Sequence, residues 1–267
     1  MENNDKNTSI NKINKMGETP IGKLIMSMSW PAILSMFIQA FYNVVDSFFV
    51  SKISEQALAA VTYIFPIQML IISVSVGTGV GINSLISRRL GARRYEEADM
   101  AASHGYRLSF FNWALFALIG IFLSKPMMNM MSETPYIIES GTSYMFIITV
   151  GSLFAMVQVT TEKILQATGN MMFPMICSIA GAITNIIMDP VLIFGMGSFP
   201  EMGVTGAAVA TILGQFVSMC LGQILLFKGK HPVRVKLFGW KMQSRIIKDI
   251  YAVGGIFIRI PLVLSIV

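Results

Sequence analysis

The chain of 267 residues is 54% hydrophobic and only 13% charged, and its mean hydropathy is +0.65. A soluble domain carries about 25% charged residues, so this composition excludes a soluble globular protein and indicates an integral membrane protein. The net charge of +6 would suggest nucleic acid in a soluble protein, but the charges here lie between long apolar runs, so we expect a lipid bilayer as partner and no nucleic acid.

The apolar runs predict membrane-spanning helices, which need about 20 apolar residues each. In chain order the runs are Leu24–Val50, Ala57–Ser87, Leu108–Ser124, Ser140–Thr161, Met171–Phe194, Met202–Phe227 and Ile250–Val267. We therefore predict an all-α, polytopic membrane protein with six complete spans. Because the seventh run stops after 18 residues, we expect the chain to be a fragment or the product of a truncated gene.

These runs divide the chain into four parts. Residues 1–23 form a polar cytoplasmic tail, residues 24–227 a six-helix lobe, residues 228–249 a basic linker and residues 250–267 the start of a seventh helix. No apolar run precedes Leu24, so we expect no cleaved signal peptide. The linker mixes cations with aromatic and aliphatic residues, which is typical of a segment at the headgroup layer.

Lysines and arginines alternate between the connections that join the runs. Successive connections place 17 of them on one side of the membrane and 2 on the other. Because positively charged loops remain in the cytoplasm, we predict a cytoplasmic N-terminus and odd-numbered helices that run outward.

Two aspartates, Asp46 and Asp189, lie inside apolar runs. A carboxyl at the centre of a spanning helix costs roughly 2.5–3.5 kcal/mol on insertion scales, so such residues are rare and face a bundle interior or a water-filled path. The simple alternative is that each carboxyl only pairs within the bundle, but no lysine or arginine lies inside the first six runs as a partner. The two aspartates therefore indicate ion or proton coupling.

Helical spacing places further polar residues beside these carboxyls. In the first helix Gln39, Tyr42, Asn43 and Asp46 share a face, because they are spaced by three or four residues. With the predicted topology, both aspartates lie about 9 Å below the outer boundary, at 1.5 Å per residue. Equal depth is what one shared site requires.

The fifth helix supplies the second half of this predicted site. Asn185 and Asp189 are four residues apart, and Pro190 predicts a bend that frees carbonyl oxygens. Carboxylate, amide and carbonyl oxygens suit Na⁺, whereas a protonatable carboxyl suits H⁺, and both remain open. Cys177 and Cys220 show no metal-ligand spacing, so we expect no resident metal and no cofactor apart from the coupling ion.

Two other features carry weaker expectations. Glu162 lies beside Lys163 near the cytoplasmic end of the fourth helix, which predicts a solvated ion pair. Gly77 and Gly81 are four residues apart in the second helix and offer a smooth surface for close helix packing.

Six stretches together carry a resemblance to a known family. They are FYNVVDSFFV (41–50), EQALAAVTYIFP (55–66), SRRLGARRYEEA (87–98), KILQATGN (163–170), NIIMDPVLIFG (185–195) and GVTGAAVATILGQ (203–215). In their order and spacing the chain resembles the multidrug and toxic compound extrusion (MATE) family of cation-coupled exporters, in its bacterial drug-efflux branch.

The resemblance implies a twelve-helix antiporter of two six-helix lobes in the bacterial inner membrane. The resemblance further implies that such an antiporter exports drugs or other small organic, mainly cationic, compounds by alternating access. Tyr42, Asp46, Asn185 and Asp189 match the polar site in the N-terminal lobe where the family binds Na⁺ or protons, with Gln39 and Asn43 as possible cavity-lining residues. The chain then corresponds to that lobe plus the start of helix seven, and its missing partner is the C-terminal lobe.

Three other functions compete with export. A related flippase of lipid-linked or polar metabolites favours a cation-lined cavity, but Arg259 is the one cation inside a predicted span. An intramembrane aspartyl protease needs Gly-x-Gly-Asp, and Ile186, Ile187 and Met188 precede Asp189 instead, so we expect no enzyme. An inactive remnant is favoured only by the truncation.

The predicted topology can be tested by cysteine labelling in a background without Cys177 and Cys220. Arg93→Cys should resist an impermeant thiol reagent in intact cells, because it lies in a predicted cytoplasmic loop, whereas Glu133→Cys should react. Permeabilised cells provide the control, since both positions should then react. The opposite labelling pattern in intact cells would reverse the orientation.

Overall fold

The structure is a computed structural model that describes residues 19–229, 231–236 and 243–264, with side chains as far as residue 256. Within these ranges the chain forms seven α-helices and no strand, which confirms the all-α prediction. The helices are α1 (Ile21–Ser51), α2 (Glu55–Gly91), α3 (Tyr95–Met131), α4 (Pro135–Ala167), α5 (Met172–Ile193), α6 (Gly203–Lys228) and α7 (Ser244–Leu264).

Six of these helices, α1 to α6, are long and apolar enough to cross a membrane, as the apolar runs predicted. The helices extend beyond the runs wherever flanking polar residues continue the helical backbone. Helix α3 begins at Tyr95, well before the run that starts at Leu108, with Glu96 and Glu97 in its first turn. Acidic residues are favourable there because they oppose the positive end of the helix dipole. Helix α7 likewise begins at Ser244 rather than Ile250.

Helix α6 connects the two helices α4 and α5 within the lobe. It packs against both α4 and α5, whereas α4 and α5 make few contacts with each other. Helices α2 and α3 pack on α4, α7 packs on α2, and α1 packs mainly on α5. Helix α6 thus lies between two groups of helices, one made of α2, α3, α4 and α7 and the other of α1 and α5. Polar residues from the two groups can approach each other beside α6.

Helix α7 packs closely against α2, as the small residues predicted. The backbone of Gly254 contacts the carbonyl of Gly77, and that of Gly81 contacts the carbonyl of Ile250. A Cβ at Gly81 or at Gly254 would overlap the carbonyl that it faces, so the close approach of α2 and α7 depends on these two glycines. The contact confirms the prediction that Gly77 and Gly81 form a helix-packing surface.

Side chains of α3 hold the connection between α6 and α7. Backbone N–H groups of Arg234, Lys236 and Gln243 donate to Asp99 Oδ1 at 2.7 Å, to Ser103 Oγ at 3.0 Å and to His104 Nε2 at 3.0 Å. The linker is thus fixed to the end of α3 that lies outside the predicted span. Residues 237–242, which include the aromatic part of the predicted headgroup segment, fall outside the described residues.

The α2–α7 contact predicts different effects at two adjacent glycines. Gly254→Ala should lower the unfolding temperature of the protein in detergent, because its new Cβ would overlap the carbonyl of Gly77. Gly255→Ala is the matched control: its Cβ meets nothing within 4 Å, and alanine favours a helix over glycine by about 1 kcal/mol. Equal unfolding temperatures for the two variants, measured by thermal melting, would contradict the close contact.

Candidate cation-binding site

The two intramembrane aspartates come together where α1 packs against α5. Asp189 is completely buried, and Asp46 is half-buried. Their carboxyls lie close enough to interact electrostatically, and the phenol of Tyr42 is within electrostatic reach of both. We call Asp46 and Asp189 the aspartate pair.

Asn185 of α5 orients Asp189 and is itself held by a hydrogen bond from α6. In the amide orientation that satisfies its neighbours, Asn185 donates to Asp189 Oδ2 at 3.3 Å and accepts from the backbone N–H of Thr211 at 3.2 Å. The amide therefore turns its donor toward the carboxylate. This arrangement fixes the side chain of Asp189 without placing the amide oxygen of Asn185 next to it.

Glycines allow α5 and α6 to approach closely enough for these bonds. A Cβ at Gly214 would lie 2.7 Å from the carbonyl oxygen of Gly181 and 3.2 Å from Cβ of Asn185. Real side chains hardly tolerate the first of these distances, so glycine is required where the helices cross. Helix α5 continues through Pro190 to Ile193, and the bend predicted there stays a prediction.

One carboxylate oxygen of the aspartate pair is unsatisfied by the protein. Oδ1 of Asp46 is enclosed and has no hydrogen-bond partner among the described residues. An enclosed, unpaired carboxylate oxygen is costly, because burial removes hydration and no donor replaces it. A proton or a small cation at this position would remove that cost.

Tyr144, Gln68 and Thr211 complete the site and were not identified from the sequence. Tyr144 is 1% exposed, lies within electrostatic reach of both aspartates and accepts a hydrogen bond from Gln68 Nε2 at 3.1 Å. In the sequence, the one sign of this part of the site is Gln68, an amide inside the second apolar run. Hydroxyl and amide groups carry no charge, so a search for intramembrane charges misses them.

Gln39 and Asn43 lie elsewhere on α1. Both are exposed, as is Ser47 one turn further on, whereas Tyr42 and Asp46 are half-buried against the lobe. The four residues therefore do not share one environment. Tyr42 and Asp46 face the lobe, whereas Gln39, Asn43 and Ser47 form an exposed polar stripe. Since polar side chains at membrane depth avoid lipid, a cavity-lining role for Gln39 and Asn43 remains a prediction.

The prediction of an ion pair between Glu162 and Lys163 is wrong. Oε1 of Glu162 accepts hydrogen bonds from Gln158 Nε2 and Ser178 Oγ, both at 3.1 Å, whereas Lys163 Nζ donates to Gln166 Oε1 at 3.1 Å. Among the described residues no ion pair joins Glu162 to Lys163. Adjacent helical residues point about 100° apart, so sequence neighbours do not face each other.

Six potential membrane spans with a pair of carboxyls inside the lobe are typical of a polytopic membrane protein with a functional site at membrane depth. The sequence model of the MatE family matches residues 31–191, which is more than half of the chain. The chain therefore belongs to the MatE family, and the resemblance stated from its motifs is confirmed.

Curated relatives of the chain include proteins named as a transporter and as an export protein. The chain is 29% identical to a protein named FAD transporter from Shewanella oneidensis, over 78% of this chain and 46% of that protein. It is 23% identical to the multidrug export protein MepA of Staphylococcus aureus, over 89% of this chain and 52% of MepA. The chain spans about half the length of the curated relatives it matches.

Solved transporter structures share the fold. A MOP superfamily transporter from Pyrococcus furiosus superposes with a TM-score of 0.87 at 30% identity, over 94% of this chain and 55% of that chain. An outward-facing multidrug resistance MATE family transporter gives a TM-score of 0.85 at 31% identity, over 91% of this chain and 53% of that one. The six-helix lobe corresponds to about half of each transporter.

Proposed function

We propose that the chain is the ion-coupling lobe of an antiporter that exports small organic compounds in exchange for H⁺ or Na⁺. The observation that carries the proposal is the aspartate pair, with its enclosed, unpaired oxygen on Asp46. Exchange by alternating access requires a lobe whose packing depends on whether the coupling ion is bound.

Helix α1 supplies the responsive element in this proposal. It carries Asp46, packs mainly on α5 and has only Pro31 and Val50 buried. Two charged carboxylates repel each other across the α1–α5 contact, and a bound cation removes the repulsion. Because few other contacts hold α1, a change at this contact can shift the helix relative to the rest of the lobe.

The orientation of Asn185 supports H⁺ as the coupling ion. Its amide donates to Asp189 and so contributes no oxygen there to a metal ion. Na⁺ prefers several inward-facing oxygens, whereas a proton needs only one carboxylate oxygen. Na⁺ remains the alternative, and replacing external Na⁺ with choline at constant pH separates the two.

Cationic or neutral organic compounds suit this lobe better than anions. The acids Asp46, Asp189 and Glu162 all lie within its helices, with Glu162 hydrogen-bonded across to α5. The relative named FAD transporter raises a flavin nucleotide as a second candidate. Its phosphates would meet these acids unfavourably, so competition between ethidium and FAD for transport distinguishes the two candidates.

The proposed assembly adds a second lobe in a bacterial inner membrane, with the N-terminus in the cytoplasm. The exposed side of α1 suits such a partner, because it combines the polar stripe with large apolar residues. Trp30 and Phe37 are each 67% exposed. The family and its structural neighbours are transporters, which supports transport rather than enzymatic catalysis.

Asp46→Asn and Asp189→Asn test the proposed coupling in the transporter with both lobes. Each should reduce ion-driven uphill export of ethidium in everted vesicles at least about tenfold, because an amide cannot exchange a proton. The double variant should be no worse than either single one, as expected for residues that act as a unit. Conservative Glu replacements should shift the pH dependence instead of removing export.

Drug binding provides the control for this experiment. Ethidium should still bind to Asp46→Asn, since an apolar cavity can hold a lipophilic cation without that carboxylate. Uphill export by Asp46→Asn with an unchanged dependence on the ion gradient would show that the aspartate pair is structural.

A further inference from the structure

A cavity of about 320 Å³ lies where the end of α2, the start of α3 and the start of α7 meet. Its volume falls at the lower end of the range for small-ligand pockets, roughly 300–1,000 Å³. Each of these three places contributes one arginine to the lining: Arg89 from α2, Arg94 from the residue before α3, and Arg245 from α7. We call it the arginine cavity. It shares no residue with the aspartate pair.

The turn between α2 and α3 brings Arg94 back toward Arg89. The backbone N–H of Arg94 donates to the carbonyl of Arg89 at 2.8 Å, and that of Arg93 donates to the carbonyl of Leu90 at 3.0 Å. Arg93 has a φ of 59°, in the left-handed region. This pair of hydrogen bonds is the common ending of an α-helix, in which glycine usually takes the left-handed position. The reversal returns Arg94 to the cavity that Arg89 lines.

The start of α7 is fixed beside α3, and this contact positions the third arginine. The backbone N–H of Gln243 donates to His104 Nε2 at 3.0 Å, and the side-chain amide of Gln243 donates to Met100 Sδ at 3.7 Å. Arg245 follows two residues later, in the first turn of α7. Direct contacts therefore join the α3 and α7 walls of the cavity. Such preorganisation lowers the cost of binding a ligand.

The charges that line the arginine cavity favour an anion. Glu97 accepts from Arg89 Nη1 at 2.9 Å and lies 3.7 Å from Arg94 Nη1. A guanidinium carries five N–H donors, so both arginines keep donors after this pairing. Arg245 and the second acid, Asp249, form no ion pair within the described part of the chain. Three guanidiniums and two carboxylates leave one net positive charge in the lining.

Apolar residues and the position of the cavity indicate what kind of anion it would take. Leu85, Met100 and Ile246 also line it, and Leu85 is 3% exposed. Apart from Leu85, every lining residue lies in a connection between apolar runs, so the cavity is at the membrane surface. Arginine forks match the oxygens of a phosphate group, and basic pockets between membrane helices suit anionic lipid headgroups. The apolar lining would contact the first part of an acyl chain.

We propose that the arginine cavity binds a phosphate ester, namely the headgroup phosphate of an anionic phospholipid. A phosphodiester with one negative charge matches the single net positive charge of the lining. Bound there, it would join the turn between α2 and α3 to the start of α7 and stabilise the end of the lobe where the linker enters. The site goes beyond the proposed export function and does not depend on it.

The test measures lipid binding to the 267-residue chain in detergent by native mass spectrometry. Phosphatidylglycerol is the probe, and diacylglycerol with the same acyl chains is the comparison lipid without a phosphate. Arg245→Gln should weaken phosphatidylglycerol binding at least about fivefold and leave diacylglycerol binding unchanged, because the substitution removes one cation beside the headgroup. Equal phosphatidylglycerol affinity in Arg245→Gln and the wild type would overturn the proposal.

Lys248→Gln is the matched control for this substitution. It removes an exposed cation from the same helix, but Lys248 does not line the cavity. It should therefore bind phosphatidylglycerol like the wild type. An equal loss of affinity in Lys248→Gln and Arg245→Gln would show a general attraction between lipid and basic surface, and would overturn the site.

A second measurement needs no substitution and so does not depend on the folding of a variant. Phenylglyoxal modifies accessible arginines, and peptide mass spectrometry identifies the positions. In phosphatidylcholine nanodiscs, added phosphatidylglycerol should slow the modification of Arg89, Arg94 and Arg245. Arg88 is the internal control, because it is exposed, does not line the cavity and should react at an unchanged rate. Equal protection of Arg88 and Arg245 would contradict a specific site.

Glycerol 3-phosphate separates the two sources of a phosphate group. If it fails to displace phosphatidylglycerol, a lipid is supported as the ligand, because the soluble ester lacks acyl chains for the apolar lining. Displacement would keep the phosphate site and overturn the phospholipid as its ligand. None of these measurements involves ion coupling by the aspartate pair, so failure of this site and failure of the proposed function are distinguishable.

Discussion

Everything in this lobe depends on the cost of placing a carboxylate where little water can reach it. Burial removes hydration from the charged form, and only protein donors or a bound cation can replace it. Asp189 and Glu162 obtain donors from Asn185, Gln158 and Ser178, but Oδ1 of Asp46 has none among the described residues. Under the proposed function, that deficit is what would make the α1–α5 contact sensitive to the binding of a proton or ion.

The arrangement of the helices determines which contacts in the lobe are closely packed and which have room to change. Glycines hold α5 and α6 at a fixed, close crossing, with Gly214 directly beside Asn185. Helix α7 and the linker are likewise tied to α2 and α3 by backbone contacts and hydrogen bonds. Helix α1 packs mainly on α5 and makes fewer contacts with α2 and α6. The closely packed part of the lobe therefore positions Asp189, while Asp46 lies on a helix in which only Pro31 and Val50 are buried.

The sequence predicted the features that follow from one-dimensional spacing. Run lengths identify the six spans, and the rise per residue places Asp46 and Asp189 at one depth. The sequence does not show how each helix is rotated about its own axis, so features that depend on this rotation could not be predicted. The direction of Glu162 away from Lys163 and the division of the α1 face depend on which neighbour each helix meets. Tyr144 and Gln68 escaped notice because uncharged polar groups cost too little at membrane depth to stand out.

The separation between Asp189 and Glu162 limits how far these two acids influence each other directly. At about 16 Å along α5, their charges interact weakly, particularly where polar groups and water raise the effective dielectric constant. The helix itself is the closer connection, because α5 contributes both Asp189 and Ser178, the hydrogen-bond donor to Glu162. Under the proposed function, a shift of α5 when an ion binds the aspartate pair would therefore also alter the hydrogen bond from Ser178 to Glu162, so that a change in packing rather than direct charge repulsion would connect the two positions.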